Sequence, residues 1–177
     1  IGHPTRKILG IEHNTGALGH GLSVAVGLAL SKKIDQKTNK VFSLLGDGEL
    51  SEGSVWEACT TASKYHLDNL IVIIDRNNLQ ITGKTEEVNP IEPIDKKFET
   101  FGFETISTNG NNISELLNVF KEIPIQKNKP TVRSAKTTNG SGVSFIEHQS
   151  NWHHKVPSED EYGRAISELN EKLNSYE

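Results

Sequence analysis

The sequence contains no methionine and a single cysteine, Cys59. One cysteine excludes a disulfide framework and a cysteine-rich zinc site. Lying in an apparent helix, Cys59 reads as a buried free thiol. There is no Lys/Arg block, the formal net charge is -4 and the pI is about 6.0, which excludes a nucleic-acid surface. No apolar run approaches the ~20 residues needed to cross a bilayer, and no signal peptide is visible. No membrane partner and a cytoplasmic location are therefore expected. Methionine is missing even from position 1, and the chain opens inside what reads as a functional loop, Gly2-His3-Pro4. The start of the natural chain is accordingly expected upstream.

What is present is enough for one domain with a sizeable core, in 177 residues of ordinary globular composition. Residues 1–14 read as loop, broken by Gly2, Pro4, Gly10 and Asn14. From Thr15 to about Ile34 a run of small and apolar residues predicts a helix buried nearly all round. Gly16, Gly19, Gly21 and Gly27 weaken it, each by up to ~1 kcal/mol relative to alanine, so close approach of another backbone or a ligand is expected there. Val41–Leu45 and Leu70–Ile74 predict buried strands, the second rich in β-branched residues. Ser51 to about Tyr65 predicts the helix between them. Phe103–Ser107 and Thr131–Ala135 are weaker strand candidates, and Ile113–Glu122 and Ser158–Tyr176 predict helices. Strands alternating with helices imply an α/β fold with a parallel sheet flanked by helices on both faces. Residues 136–157 form a long connection with little periodic structure, and loops of that length are usually functional or mobile.

The chemistry concentrates at two strand ends. Gly46-Asp47-Gly48 closes the first buried strand, and Asp75-Arg76-Asn77 closes the second. Ligands of parallel sheets bind at the carboxyl ends of strands. A carboxylate and a carboxamide there offer hard oxygens to Mg2+, and a backbone carbonyl near Leu79 could add a third. Gly46 and Gly48 admit a phosphate close to the backbone. Ser51 is placed to cap the following helix, with Glu52 in its first turn. A helix end stabilises an anion by only ~0.3–1 kcal/mol, up to ~2 when partly buried. In a chain of net charge -4 a bound metal must carry most of the electrostatics of a diphosphate. Taken singly, Gly-Asp-Gly and Asp-Arg-Asn-Asn are ordinary turns. Their joint placement, each after a buried strand with a helix between, points to a Mg-diphosphate site. Gly19-His20-Gly21 lacks both the third glycine and the preceding strand of a dinucleotide fingerprint.

Gly46-Asp47-Gly48 with Asn77 resembles the thiamine diphosphate signature. Gly2-His3-Pro4, Thr15-Gly16-Ala17-Leu18-Gly19-His20-Gly21, Gly46-Asp47-Gly48-Glu49-Leu50-Ser51-Glu52-Gly53 and Asn151-Trp152-His153 resemble transketolase motifs in order and spacing. The resemblance covers essentially the whole chain, as a single diphosphate-binding domain over 1–177 without its N-terminal part, with 136–157 as the active-site connection. It implies thiamine diphosphate and Mg2+ (or Ca2+ or Mn2+) as cofactors. Asp47, Asn77 and the Leu79 carbonyl would hold the metal, with Asn78 the rival if the register slips by one. Arg76 stands where many relatives carry another asparagine. Gly16, Gly48 and Glu49 would lie at the cofactor, and Leu18 and Ile81 would pack on its rings. Glu52 would sit at a subunit contact, and His3 and His153 would face cofactor and substrate.

The resemblance also implies what is not in this chain. The cofactor is activated by a glutamate on a separate pyrimidine-binding domain or subunit, and nothing here resembles that domain. The expected assembly pairs two copies of this chain with two of that partner, acting on sugar phosphates by two-carbon ketol transfer; the isolated chain is expected to be inactive. Deoxyxylulose-phosphate synthase and 2-oxo acid dehydrogenase components share the Asp/Asn site, but Gly2-His3-Pro4 and Trp152-His153 favour transketolase. A non-catalytic truncated binding module is the remaining alternative. His154 occupies a place that is commonly glycine, and His20 one where glutamine also occurs. His13, His66 and His148 read as surface or packing residues.

Overall fold

The structure is a computed structural model that describes residues 3–124 and 126–175. Gly2 of the opening motif and Tyr176 of the last predicted helix lie outside the described residues. Four strands, β1 (Val41–Gly46), β2 (Leu70–Arg76), β5 (Glu104–Asn109) and β6 (Thr131–Lys136), form one parallel sheet in the order β1-β2-β6-β5. A two-residue hairpin, β3 (Leu79–Gln80) with β4 (Gly83–Lys84), follows β2 directly. The register sets Gly46 opposite Asp75 and Arg76 opposite Lys136. The Asp47 N–H donates to the Asp75 carbonyl at 3.2 Å, so the ladder runs on into the first turn.

Helices α1 (His20–Ile34) and α2 (Gly53–Lys64) cover one face. Each buries a stripe at helical spacing, Leu22, Ala25, Val26 and Ala29 on α1, and Val55, Ala58, Cys59 and Ala62 on α2. These meet Leu45, Leu70, Val72 and Ile74 in the main core. Burial pushes the Cys59 thiol up to about 12. Helix α3 (Thr85–Val88) is a single turn, and α4 (Ile94–Thr100) buries Ile94 and Phe98 beside Trp56 and Phe103. Helix α5 (Ile113–Lys121) flanks the opposite face, where Phe120 meets Phe42 edge to face at 6.2 Å. On that face of β1, Phe42 and Leu44 remain 54% and 69% exposed. Helix α6 (Glu159–Asn174) opens on a capping box between Ser158 and Glu161.

Two expectations need correction. The first helix starts at His20 rather than Thr15, because its N-cap Gly19 is left-handed at φ 78°. It is also buried along one stripe rather than all round, with Ser23, Gly27 and Leu28 exposed. Second, Ser51 does not cap α2. It ends a 3-10 turn at Gly48–Ser51, Glu52 is the N-cap, and neither makes a side-chain capping bond. The Ser51 hydroxyl instead accepts from the Asn89 side-chain amide at 2.9 Å.

Candidate cofactor and metal site

Asp47 sits where β1 ends, only 1% exposed. Its Oδ2 accepts from Arg76 Nη1 at 2.9 Å and from the Asn78 N–H at 2.7 Å. Its Oδ1 has one weak contact, the Thr85 hydroxyl at 3.4 Å. One oxygen of a buried carboxylate is thus saturated, while the other is nearly without a partner. Asn77, one residue beyond β2, donates from Nδ2 to Asp75 Oδ2 at 3.0 Å and accepts the Leu79 N–H on Oδ1 at 2.9 Å. That second bond is an Asx turn that fixes the 77–79 loop. A carboxamide oxygen has two acceptor sites, so Asn77 Oδ1 keeps one available. A carboxylate oxygen with one weak partner and an amide oxygen on two adjacent strand ends are a donor set that suits Mg2+. Among the described residues no group of three or more His, Cys, Asp or Glu side chains could hold a metal. A cation here would therefore need amide and backbone oxygens as well.

The glycine loop before α1 and the turn after β1 are joined. Glu49 accepts the Gly19 N–H on Oε1 at 2.8 Å and the Gly46 N–H on Oε2 at 3.3 Å. The Ser54 hydroxyl donates to the Gly19 carbonyl at 2.9 Å. A Cβ on Gly19 would stand 2.5 Å from Ser54 Oγ and 2.7 Å from the Glu52 Cβ, so only glycine lets the two helix starts meet. Gly48 has a comparable reason of its own, since a Cβ there would lie 2.9 Å from the Gln80 Cβ. On its Cβ side Gly48 thus packs against the hairpin. The His3 ring lies against Gly16, 3.1 Å from where a Cβ would stand. At Gly21 and Gly27 no atom approaches, so close contact accounts for two of the four glycines.

Leu18 and Ile81 are 54% and 56% exposed, apolar surfaces with little cover. Glu52 is exposed at the start of α2. His153 is exposed after a 3-10 turn (Ser150–Trp152), its ring edge-on to His154 at 4.6 Å. No hydrogen bond among the described residues ties it to the Asp47 cluster. The connection holding it is tied down at its start and packed within. The Thr137 N–H donates to the Arg76 carbonyl at 3.1 Å and the Thr137 hydroxyl bonds Asp75 Oδ1, while Phe145 stacks edge-on with Trp152 at 5.5 Å. Asp75, Asn77 and Thr137 line a cleft of about 530 Å³ on the α5 side of the sheet.

Arg76 is the residue at this strand end whose contacts sequence reasoning missed. It is 6% exposed, and besides Asp47 it reaches Glu86 (Nη2, 2.9 Å) and Glu92 (Nη2, 2.9 Å; Nε, 3.2 Å). Burial works against its charge, but the hydrogen bonds and fields of Asp47 and Glu92 outweigh that and raise its pKa above the ordinary arginine value. The available signal was a long cation at a strand end followed by an acidic stretch, Glu86, Glu87 and Glu92.

Residues 1–172 match the family described as transketolase, thiamine diphosphate binding domain. The chain is 44% identical over 176 residues to a subunit of the apulose-4-phosphate transketolase of Phocaeicola vulgatus, covering 99% of this chain and 63% of that protein. It is 49% identical over 172 residues to the protein of the same name from Actinobacillus succinogenes, covering 97% and 62%. The chain thus spans somewhat less than two thirds of the length of these relatives. The crystal structure of Campylobacter jejuni transketolase superposes with a TM-score of 0.87 at 34% identity, over 96% of this chain and 28% of that one. The chain belongs to the transketolase family, as a member of its thiamine diphosphate binding domain.

Proposed function

We propose that this chain is the half of a split transketolase that holds thiamine diphosphate and Mg2+, in an enzyme moving a two-carbon ketol unit from a ketose phosphate to an aldose phosphate. The observation that carries the reading is the Asp47 carboxylate, buried at a strand end, pinned through Oδ2 and only weakly engaged at Oδ1. Asp47 and Asn77 hold the metal through side-chain oxygens and Leu79 through its carbonyl, with Ca2+ or Mn2+ able to substitute. Gly16, Gly48 and Glu49 shape the loops around the cofactor, and Leu18 and Ile81 offer apolar surface to its rings. When bound, thiamine diphosphate supplies the nucleophilic carbon that no amino acid provides. His3 and His153 orient the sugar through its hydroxyls and move protons near neutral pH.

Residues 1–177 act as one diphosphate-binding domain, and 136–157 as its active-site connection. The partner is a pyrimidine-binding subunit. Both bacterial relatives are named as one subunit of a transketolase, which supports a second chain. Glu52, exposed at the start of α2, meets a second copy of this chain within the larger assembly. No helix among the described residues is long and apolar enough to cross a membrane, and the site of action proposed is the cytoplasm. The test is calorimetric titration of thiamine diphosphate with and without Mg2+, on the chain alone and with the candidate partner. Tight, Mg2+-dependent binding with the partner is expected, followed by ketol transfer between sugar phosphates. Binding indifferent to Mg2+, or none with the partner present, would refute the reading.

A further inference from the structure

We propose that Arg76 positions the metal ligand Asp47, fixing Oδ2 so that Oδ1 alone is presented to the divalent cation. The inference rests on the cofactor reading above and adds a residue outside the donor set that governs the cation's affinity.

The guanidinium is held at three corners. Nε and one Nη2 contact both fall on Glu92 Oε1, a second Nη2 contact falls on Glu86, and Nη1 is left aimed at Asp47. A planar fork held on two sides has no freedom to swing on the third. The anchors are themselves held. Glu92 Oε2 accepts the Ile94 N–H at 2.9 Å, in the first turn of α4, and Glu86 accepts the N–H groups of Ile91 and Glu92 at 3.4 Å each. A line of constraint therefore runs from the start of α4 through Glu92 and Arg76 to one oxygen of Asp47.

An unrestrained carboxylate can rotate or bind a cation through both oxygens. One pinned at Oδ2 by Arg76 and by the Asn78 N–H presents a single oxygen in one direction. Mg2+ demands near-octahedral geometry, so that restriction matters more for it than for a tolerant cation. Two observations argue against Arg76 as a competitor that merely occupies the metal's place. Its contact is with Oδ2, whereas the nearly free oxygen is Oδ1. Its charge is also matched by Glu86 and Glu92, so it holds Asp47 without facing the cation as an uncompensated positive charge.

The test measures Mn2+ affinity by electron paramagnetic resonance, on the chain assembled with its pyrimidine-binding partner under saturating thiamine diphosphate. Arg76→Lys keeps the charge but cannot span three carboxylates. With native circular dichroism it should bind Mn2+ about 10–100-fold more weakly, the usual effect of losing an outer-shell partner. Affinity measured on folded protein is a readout that a purely stabilising role would not move. Wild-type or tighter affinity in folded Arg76→Lys overturns the inference, and tighter binding would identify a competitor. Should that variant not fold, Glu92→Asp decides, because it keeps the charge while its shorter side chain releases the guanidinium, without touching Asp47. Weaker Mn2+ binding then supports the inference, and unchanged binding overturns it. If the wild-type assembly itself binds no Mn2+, the cofactor reading fails, and the inference with it, before any variant is compared.

Discussion

Asp47→Asn isolates the buried ion pair from the cofactor. The substitution keeps the side-chain shape and an oxygen that can still accept the Asn78 N–H, but removes the charge facing Arg76 Nη1. Both members of the pair are well under a tenth exposed, so solvent screening does little to discount it. A buried ion pair is in general weak evidence of stability, whereas neutralising one member strands the other at a cost of about 3–5 kcal/mol. Arg76 keeps Glu86 and Glu92, both substantially exposed, which places the expected cost near the lower end, about 3 kcal/mol. For a domain of this size each kcal/mol moves the thermal midpoint roughly 2–4 °C, so the cofactor-free variant should melt roughly 6–12 °C below wild type. The assay is thermal denaturation followed by circular dichroism without metal or cofactor, with calorimetric titration alongside. The same variant should lose Mg2+-dependent cofactor binding. A midpoint change within roughly 2 °C would mean that the Arg76–Asp47 pair is energetically silent, and the argument for a pinned carboxylate would fall.

Gly19→Ala places a Cβ at φ 78° against Ser54 and Glu52; strain and overpacking should together cost about 2–4 kcal/mol, read as a lower urea midpoint at unchanged slope. Burial alone would raise the Glu92 pKa, but the Ile94 N–H, the Arg76 hydrogen bond and the fields of Arg76 and Lys97 bring it below its ordinary 4.5. Its stabilisation is therefore complete above that value and is lost as the pH falls from there through the lower folded pKa. Glu92→Gln should flatten this acid limb in denaturation curves taken across pH, and an unaltered limb would refute the assignment. Cys59, fully buried with its thiol pushed up to about 12, should resist a thiol reagent at pH 8 until the chain is unfolded; rapid native labelling would contradict the packing. His153→Ala should lower turnover of the assembled enzyme without moving the melting midpoint of this chain, since the side chain is exposed and lies edge-on to the His154 ring. Unchanged turnover would return it to an ordinary loop histidine.

The strands were legible because Val41–Leu45 and Leu70–Ile74 are short and largely apolar, the second also rich in β-branched residues, and because the glycine and polar residues that end them coincide with the sheet's carboxyl edge. The helix start at His20 was not. Helix-like composition begins at Thr15, but the left-handed Gly19 is set by a tertiary contact with Glu52 and Ser54 that no local pattern encodes. Helix α4 escaped notice because Ile-Asp-Lys-Lys-Phe-Glu-Thr has only two apolar positions, Ile94 and Phe98, and gains its burial from Trp56 and Phe103. The candidate donors Asp47 and Asn77 could be picked out by their position after strands. The partners of Arg76 could not, since Glu86 and Glu92 lie ten and sixteen residues away across a hairpin and a single helical turn. The half-open β1 face was likewise hidden. Phe42 and Leu44 alternate with Ser43 and Leu45, and the pattern states which residues share a face but not which face is covered.

The charges around Arg76 bear on why a diphosphate would need a metal here at all. One guanidinium stands among the three carboxylates of Asp47, Glu86 and Glu92, which leaves that four-residue cluster with two net negative charges. At physiological ionic strength screening is incomplete within about 8 Å, so that excess acts on any phosphate nearby. A helix end offsets only ~0.3–1 kcal/mol of the repulsion. A single divalent cation cancels the local excess, which accounts for an electrostatic site that is anionic while its intended ligand is also an anion. The same balance shows why a neutral replacement of Arg76 is a poor probe. It would add negative charge, drawing the cation in, while releasing Asp47 to rotate, spoiling the geometry. The two effects oppose each other in one measurement. Arg76→Lys holds the charge constant and changes only the fork, so a fall in Mn2+ affinity there reports orientation alone.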